Sequence, residues 1–213
     1  MQRPDPIRAV VFDFDGLLAD TEKPWGVAEQ SMFTSRGMPY GDTERALFLG
    51  TAVDRTAAIM ADRFGEPQQD VLADLLQRAR EQLRRSAPAM PGAADLLRGL
   101  RGRLPYAVAS NTPRELLQLS LAGSGLGALT DIVVAGDEVP HPKPAPDVYL
   151  RACELLGVSP SEAIAIEDSR TGATAARTAG LWVVMIPSGA SEPGDADAFL
   201  SSLSDPQLTA WLS

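Results

Sequence analysis

An apolar run ends in two carboxylates in the segment Ile7-Arg8-Ala9-Val10-Val11-Phe12-Asp13-Phe14-Asp15-Gly16. The apolar part is typical of a buried β-strand, and the glycine marks a turn directly after it. Carboxylates at such a place are costly unless a metal, hydrogen bonds or chemistry compensate their charge. Because ligands bind at the carboxyl ends of strands in open α/β sheets, we interpret Asp13 and Asp15 as a candidate active-site pair. Taken alone, Asp-x-Asp-Gly is explained equally well by a helix N-cap or a solvated turn.

Three later polar clusters lie at or just beyond predicted strands. They are Ser110-Asn111-Thr112, Lys143 and Glu167-Asp168-Ser169. The clusters follow one another in the order carboxylates, hydroxyl and amide, lysine, carboxylates. This order and placement resemble the haloacid dehalogenase-like superfamily, which consists mostly of phosphatases with an aspartate nucleophile. The resemblance extends over about residues 7–187.

Residues 20–88 carry helical patterns and no strand-like run. The helices are predicted at about 21–36, 43–49, 52–64 and 68–85. The apolar face of the first is formed by Val27, Ala28, Met32 and Phe33. In the resembled family, a helical insertion at this place is a cap that closes over the site and selects the leaving group.

From residue 88 onwards, strand-like and helical patterns alternate. Strands are predicted at 105–109, 131–135, 163–166 and 181–186, with helices at 145–156 and 170–179 and a short last helix at 195–203. Such alternation predicts parallel βαβ units with right-handed crossovers. We therefore predict an α/β fold with a doubly wound parallel (Rossmann-like) sheet core, formed by residues 1–19 and 89–213. An all-helical cap domain is inserted at 20–88.

The composition bounds the possible partners and the compartment. The 213 residues carry a formal net charge of −9, which disfavours nucleic acid and anionic membranes as partners. No apolar run approaches the roughly 20 residues that a membrane span needs, and the first residues contain no apolar signal core. We expect a cytoplasmic protein, a monomer or weak homodimer, whose partner is a small phosphorylated substrate.

Three scarce residue types exclude other kinds of site. Cys153 is the only cysteine, so no intrachain disulfide can form. His141 is the only histidine, which excludes a multi-histidine metal site and argues against a serine–histidine hydrolase. The only lysines are Lys23 and Lys143. A chain that avoids lysine but has one in the context Pro-Lys-Pro indicates that an ammonium group is needed there.

The carboxylates at the first predicted strand fit phosphoryl chemistry. Asp13 is the predicted nucleophile, because a carboxylate can attack phosphorus and form an aspartyl-phosphate. Asp15, two residues on, is predicted to protonate the leaving alcohol and then to activate water.

Several carboxylates around a phosphate dianion require a cation. The hard oxygen ligands of Asp13, Asp15, Glu167 and Asp168, without sulfur or imidazole nearby, favour Mg²⁺. The resemblance implies the Asp13 side chain, the Asp15 backbone carbonyl and Asp168 as ligands, with Glu167 binding directly or through water. A helix N-cap would also explain Glu167-Asp168-Ser169, and the two interpretations are compatible.

The phosphate cradle is predicted to consist of Ser110, Asn111 and Lys143. Ser110 and Asn111 precede a predicted helix N-terminus, where free N–H groups favour anions. Lys143 is a point charge that can hold both Asp13 and the phosphate. The stretch Thr112-Pro113-Arg114-Glu115 also fits a capping box, so a segment that only caps the helix is the alternative.

The predicted cap supplies the candidates for substrate specificity. They are Glu22, Trp25, Gly50, Thr51 and Arg55. Trp25 fits simple packing as well as substrate contact.

Single residues distinguish this chain from other activities of the resembled family. The dehalogenases and phosphonoacetaldehyde hydrolases of the resembled family lack the aspartate that corresponds to Asp15, so we set them aside. Sugar-phosphate mutases of the β-phosphoglucomutase type share all four motifs and this type of cap, and they remain the alternative to a phosphatase. A non-catalytic binding protein would be free to lose some of these groups, yet all are present.

Overall fold

The computed structural model describes residues 1–48, 51–85, 87–187 and 195–212. In this part of the chain the strands are β1 (Ala9–Phe12), β2 (Tyr106–Ala109), β3 (Val133–Val134), β4 (Ala163–Glu167), β5 (Trp182–Met185) and β6 (Ala198–Phe199). They form one parallel sheet in the order β3-β2-β1-β4-β5-β6. The predicted α/β fold with a parallel, Rossmann-like sheet is confirmed.

The helices of the described residues surround this sheet or lie between β1 and β2 in sequence. They are α1 (Glu22–Thr34), α2 (Asp42–Phe48), α3 (Val53–Phe64), α4 (Gln68–Arg85), α5 (Ala93–Leu100), α6 (Arg114–Gly123), α7 (Asp147–Leu156), α8 (Arg170–Ala179) and α9 (Pro206–Trp211). No helix among them is both long and apolar enough to cross a membrane.

Both faces of the sheet are covered, because alternate side chains of a strand point to opposite sides. Val10 and Phe12 of β1 share an apolar cluster with α5, α6 and α9. Ala9 and Val11 share a second cluster with α7 and α8. Burial on both faces explains why β1 is a continuous apolar run. It also leaves the carboxyl end of β1, in the middle of the sheet, as the place where polar residues can emerge.

Helices α1–α4 bury an apolar cluster of their own. Phe33, Met60 and Leu75 are fully buried within it, and Leu116 of α6 joins it from the side of the sheet. We propose that residues 20–88 form the cap domain, supported by this separate cluster.

The face of α1 differs by one position from the prediction. Val27 is 48% exposed, whereas its neighbour Ala28 and the charged Glu29 are buried. Met32 and Phe33 are buried as expected. The buried stripe therefore includes a carboxyl group, which is compensated by a partner described below.

The predicted helix at 195–203 is wrong. Ala198 and Phe199 instead form β6, which extends the sheet beside Val184 and Met185 of β5. The Asp197 carboxylate also accepts a hydrogen bond of 2.9 Å from the Val183 amide. Hydrogen bonds to the edge of the sheet outweigh a weak local helical pattern. The last helix is α9, whose N-terminus is capped by the Asp205 carboxylate.

Candidate active site

The carboxyl ends of the central strands bring the predicted motifs to one edge of the sheet. Phe12 of β1 is in register with Val108 of β2 and with Ile166 of β4. Asp13 therefore lies between Ser110 and Glu167. These strand ends, the loop that carries Lys143 and the helices α1–α3 surround one cavity of about 120 Å³.

Lys143 is the buried centre of an ion-pair network. Its Nζ lies 2.5 Å from Asp13 Oδ1 and 2.6 Å from Glu167 Oε1. Desolvation would lower the pKa of Lys143, but the two carboxylates outweigh it and raise the pKa, so that the ammonium stays charged. Burial raises the pKa of Asp13 well above its ordinary value, and the attraction of Lys143 opposes this shift without cancelling it.

Glu167 has hydrogen bonds on both carboxylate oxygens. Its Oε1 accepts from Lys143 Nζ and, at 2.6 Å, from the Tyr149 hydroxyl. Its Oε2 accepts from the Asp168 amide at 3.1 Å and from the Ser169 hydroxyl at 3.1 Å. The Ser169 hydroxyl also accepts from the Gly172 amide at the start of α8, as an N-cap does.

Gly172 is required by the close approach of α8 to Glu167. A Cβ atom at position 172 would lie 1.7 Å from Glu167 Oε1. Neither Gly172 nor Tyr149 is predicted from the sequence as part of the site. The only available signal for Tyr149 is its distance of six residues from Lys143, on an otherwise apolar helix face.

Three buried acidic residues could hold a metal ion. Carboxylate oxygens of Asp13, Glu167 and Asp168 lie within 4.8 Å of one another. These are hard oxygen donors, which suit Mg²⁺ or Ca²⁺. A single ammonium, that of Lys143, faces two carboxylates and does not fully offset the burial of Asp13, so a further cation fits the charge of the site.

The Asp15 carboxylate is held by hydroxyl groups rather than by this acidic cluster. Its Oδ2 accepts from Ser110 Oγ at 2.5 Å and from Thr112 Oγ1 at 2.9 Å, and its Oδ1 accepts from Thr21 Oγ1 at 2.7 Å. Thr21 directly precedes α1 and Thr112 precedes α6. Sequence reasoning missed both as site residues, although Thr112 stands within the second motif.

The predicted capping box at 112–115 is wrong. Helix α6 begins at Arg114 rather than at Pro113, and the Arg114 amide donates to Asp137 Oδ1 at 2.9 Å. The Thr112 hydroxyl bonds to Asp15 instead, and the Glu115 carboxylate pairs with Arg80 of α4 at 2.7 Å. A partly buried carboxylate is the stronger acceptor for the hydroxyl, because hydrogen bonds to charged groups are the stronger ones.

Asn111 fastens the loop of Lys143 to the end of β2. Its Oδ1 accepts from the Lys143 amide at 2.7 Å, and its Nδ2 donates to the Lys143 carbonyl at 3.1 Å. The side-chain amide of Asn111 is thus engaged with the loop. Its close neighbour Gly136 has no room for a side chain, since a Cβ there would lie 2.4 Å from the Asn111 carbonyl oxygen.

The predicted specificity residues separate into two groups. Glu22, Trp25 and Thr51 line the cavity. Arg55 does not: it is exposed, because α3 turns Val53 and Thr56 toward the cavity instead. Gly50 lies outside the described residues.

Glu29 and Arg45 line the cavity and were missed by sequence reasoning. Glu29 is only 8% exposed, and its Oε2 accepts a hydrogen bond of 2.7 Å from the Tyr40 hydroxyl. Burial raises the pKa of Glu29 to about 7, against the opposing effects of Tyr40 and Arg45.

The raised pKa of Glu29 makes stability depend on pH. Between the ordinary value of 4.5 and about 7, the folded chain binds a proton that the unfolded chain has lost. The free energy of unfolding therefore falls as the pH rises through this window. Glu29→Gln is expected to raise the free energy of unfolding at pH 8 by up to about 3 kcal/mol. This gain should fade toward pH 5.

Urea unfolding at the two pH values measures this difference. Glu81→Gln, on the exposed surface of α4, is the matched control and should change neither value. Equal effects of Glu29→Gln at both pH values would show that Glu29 does not titrate in this window.

Comparison with known proteins assigns the family. The sequence model of the haloacid dehalogenase-like hydrolase family matches residues 7–180 of the chain. The chain belongs to this family. The family predicted from the four motifs is therefore confirmed. The chain is an enzyme of the hydrolase class.

Three similar proteins align with nearly the whole length of this chain. A probable pseudouridine-5'-phosphatase of Drosophila melanogaster is 35% identical over 206 residues, which are 92% of this chain and 89% of that protein. Hexitol phosphatase B of Escherichia coli (strain K12) is 30% identical over 219 residues, 99% of this chain and 98% of that protein. The crystal structure of CbbY from Rhodobacter sphaeroides in complex with phosphate has a TM-score of 0.80 at 28% identity, covering 93% of this chain and 95% of that one.

Proposed function

We propose that this chain is a Mg²⁺-dependent phosphatase, which hydrolyses a small phosphate monoester through an aspartyl-phosphate on Asp13. The observation that carries the proposal is the meeting of Asp13, Asp15 and Lys143 at one cavity. A nucleophile, an acid and base, and a buried cation are the groups that phosphoryl transfer needs. The names of the similar phosphatases support the same activity.

The first half-reaction forms the aspartyl-phosphate. A carboxylate oxygen of Asp13 attacks phosphorus while the bond from phosphorus to the ester oxygen breaks. Asp15 donates its proton to that oxygen, and the alcohol leaves. Lys143 orients Asp13 from 2.5 Å and neutralises charge on the phosphoryl oxygens. The Ser110 hydroxyl binds a phosphoryl oxygen when substrate replaces its bond to Asp15.

The second half-reaction regenerates the enzyme. Asp15, now ionised, takes a proton from a water molecule whose oxygen attacks the phosphorus of the aspartyl-phosphate. The bond between phosphorus and the Asp13 oxygen breaks, and inorganic phosphate leaves. The hydroxyls of Thr21 and Thr112 hold the Asp15 carboxylate in place for both proton transfers.

The metal would be held by the side chains of Asp13 and Asp168 and by the Asp15 backbone carbonyl. Bound there, Mg²⁺ would supply positive charge to the phosphoryl oxygens. Glu167 contributes indirectly in this proposal, because both of its oxygens already accept hydrogen bonds and one of them holds Lys143.

The compartment, oligomeric state and partners are part of the same proposal. We propose a cytoplasmic monomer or weak homodimer. The formal net charge of −9 disfavours a nucleic-acid or anionic-membrane partner. The substrate is a small phosphorylated molecule, since the helices α1–α3 help to enclose the cavity.

Phosphate release from a panel of sugar, polyol and organic-acid phosphates, with Mg²⁺ and with EDTA, tests the proposal. We expect release that depends on Mg²⁺ and stops with EDTA. Isomerisation of a sugar phosphate without net phosphate release would replace the phosphatase by a mutase. A folded protein that turns over no phosphate ester would refute both enzymatic functions.

A further inference from the structure

The inner wall of the cavity contains a carboxylate oxygen that points to a ligand. Glu29 is 8% exposed, and Tyr40 bonds only to its Oε2. Within residues 1–48, 51–85, 87–187 and 195–212, no hydrogen-bond donor is placed on Oε1. A buried polar atom left without a partner is costly, and such atoms are uncommon unless water, an ion or a ligand satisfies them.

Arg45 supplies the complementary donor on the same wall. It lines the cavity with Glu29, and its charge acts on that carboxyl group. It forms no ion pair within the described ranges, unlike its neighbour Glu44, which pairs with Arg63 at 2.7 Å. A guanidinium carries several N–H donors and no acceptor. The wall therefore offers an acceptor and a set of donors side by side.

We propose that Glu29 and Arg45 recognise the leaving group and that this group is a neutral polyol, so that the substrate is the phosphate ester of a sugar or sugar alcohol. One hydroxyl donates to Glu29 Oε1, and a hydroxyl oxygen accepts from Arg45. This inference rests on the proposed phosphatase function and goes further, because it names the residues and the chemistry of the leaving group.

Other leaving groups fit the wall less well. A carboxylate, as in an organic-acid phosphate, could accept from Arg45 but would also meet Glu29 and Glu22, which line the same cavity, and like charges repel. An alkyl group would leave Oε1 without a donor, which makes binding unfavourable. A hydroxyl is the group that both donates and accepts, so it can satisfy both side chains at once.

Two substrates of equal chain length test the proposal: sorbitol phosphate, with hydroxyls, and hexyl phosphate, without them. For each variant we would measure the ratio of kcat/KM for sorbitol phosphate to kcat/KM for hexyl phosphate at pH 8, above the pKa of about 7 of Glu29. Losing one hydrogen bond to a charged group corresponds to roughly a 10- to 100-fold loss. We expect Glu29→Leu to lower the ratio by that factor and Glu29→Gln to lower it less, since an amide oxygen still accepts.

Two further variants keep the test decisive. Arg45→Met changes an exposed residue and should lower the ratio even if Glu29→Leu fails to fold. Glu81→Leu, outside the cavity on α4, should leave the ratio at its original value.

The failures of the two proposals are distinguishable. Unchanged ratios in folded Glu29→Leu and Arg45→Met, with Mg²⁺-dependent phosphate release intact, would overturn the polyol inference and leave the phosphatase standing. Faster hydrolysis of phosphoglycolate than of sorbitol phosphate by the original protein would overturn it too. The absence of phosphate release from every ester would overturn the proposed function itself.

Discussion

Asp13→Asn is expected to lower kcat by at least about 10⁴-fold, the scale seen when a nucleophile is removed. The amide has nearly the shape of the carboxylate, and its oxygen can still accept a hydrogen bond from Lys143. It is too weak a nucleophile to attack phosphorus. Phosphate release with saturating substrate and Mg²⁺, together with circular dichroism to verify folding, measures the effect.

A matched control is available on the surface. Asp95 in α5 is exposed and pairs with Arg98, three residues away, so Asp95→Asn should keep the original kcat. If the folded Asp13→Asn enzyme kept kcat within about tenfold of the original, another group would have to be the nucleophile.

Lys143→Met is expected to give the second largest effect, on stability and on turnover together. Lys143 is the cation between Asp13 and Glu167, and all three side chains are buried. Removing one partner of a buried ion pair costs about 3–5 kcal/mol, because the remaining charges are left uncompensated. Turnover falls as well, since Asp13 loses its orientation and the phosphoryl group loses a positive charge. Urea unfolding and phosphate release measure the two losses separately.

A second substitution separates these two effects. Glu167→Gln added to Lys143→Met removes one of the uncompensated carboxylates, so part of the lost stability should return. Turnover should not return, because the ammonium is still missing. A Lys143→Met protein as stable as the original would show that the buried network does not depend on this lysine.

The central strands could be predicted from the sequence because burial on both faces leaves a plain apolar signature. Strand β4, expected at 163–166, is observed at Ala163–Glu167. The meeting of the motifs was also predictable, since the carboxyl ends of parallel strands reach the same edge. Strand β6 could not be predicted in this way. Its two residues at the edge of the sheet are defined by their hydrogen bonds to β5 and not by a pattern of their own.

The surroundings of the motifs were predictable only in part. Glu29 stands in a helical segment where a charged residue ordinarily faces solvent, and its burial depends on Tyr40, eleven residues further on. Arg55 was placed at the cavity by its sequence neighbourhood, whereas the phase of α3 turns it outward. The role of Thr112 depends on Asp15, which lies 97 residues earlier in the chain. Such contacts follow from tertiary packing, which no local pattern encodes.

The most direct test of the account is to trap the covalent intermediate. The enzyme would be mixed with Mg²⁺ and a ³²P-labelled phosphate ester, quenched in acid within one turnover, digested and analysed by mass spectrometry. The account predicts a phosphoryl group on the peptide that carries Asp13, absent in Asp13→Asn and absent with EDTA. A phosphoryl group on another residue, or rapid phosphate release by folded Asp13→Asn, would contradict it.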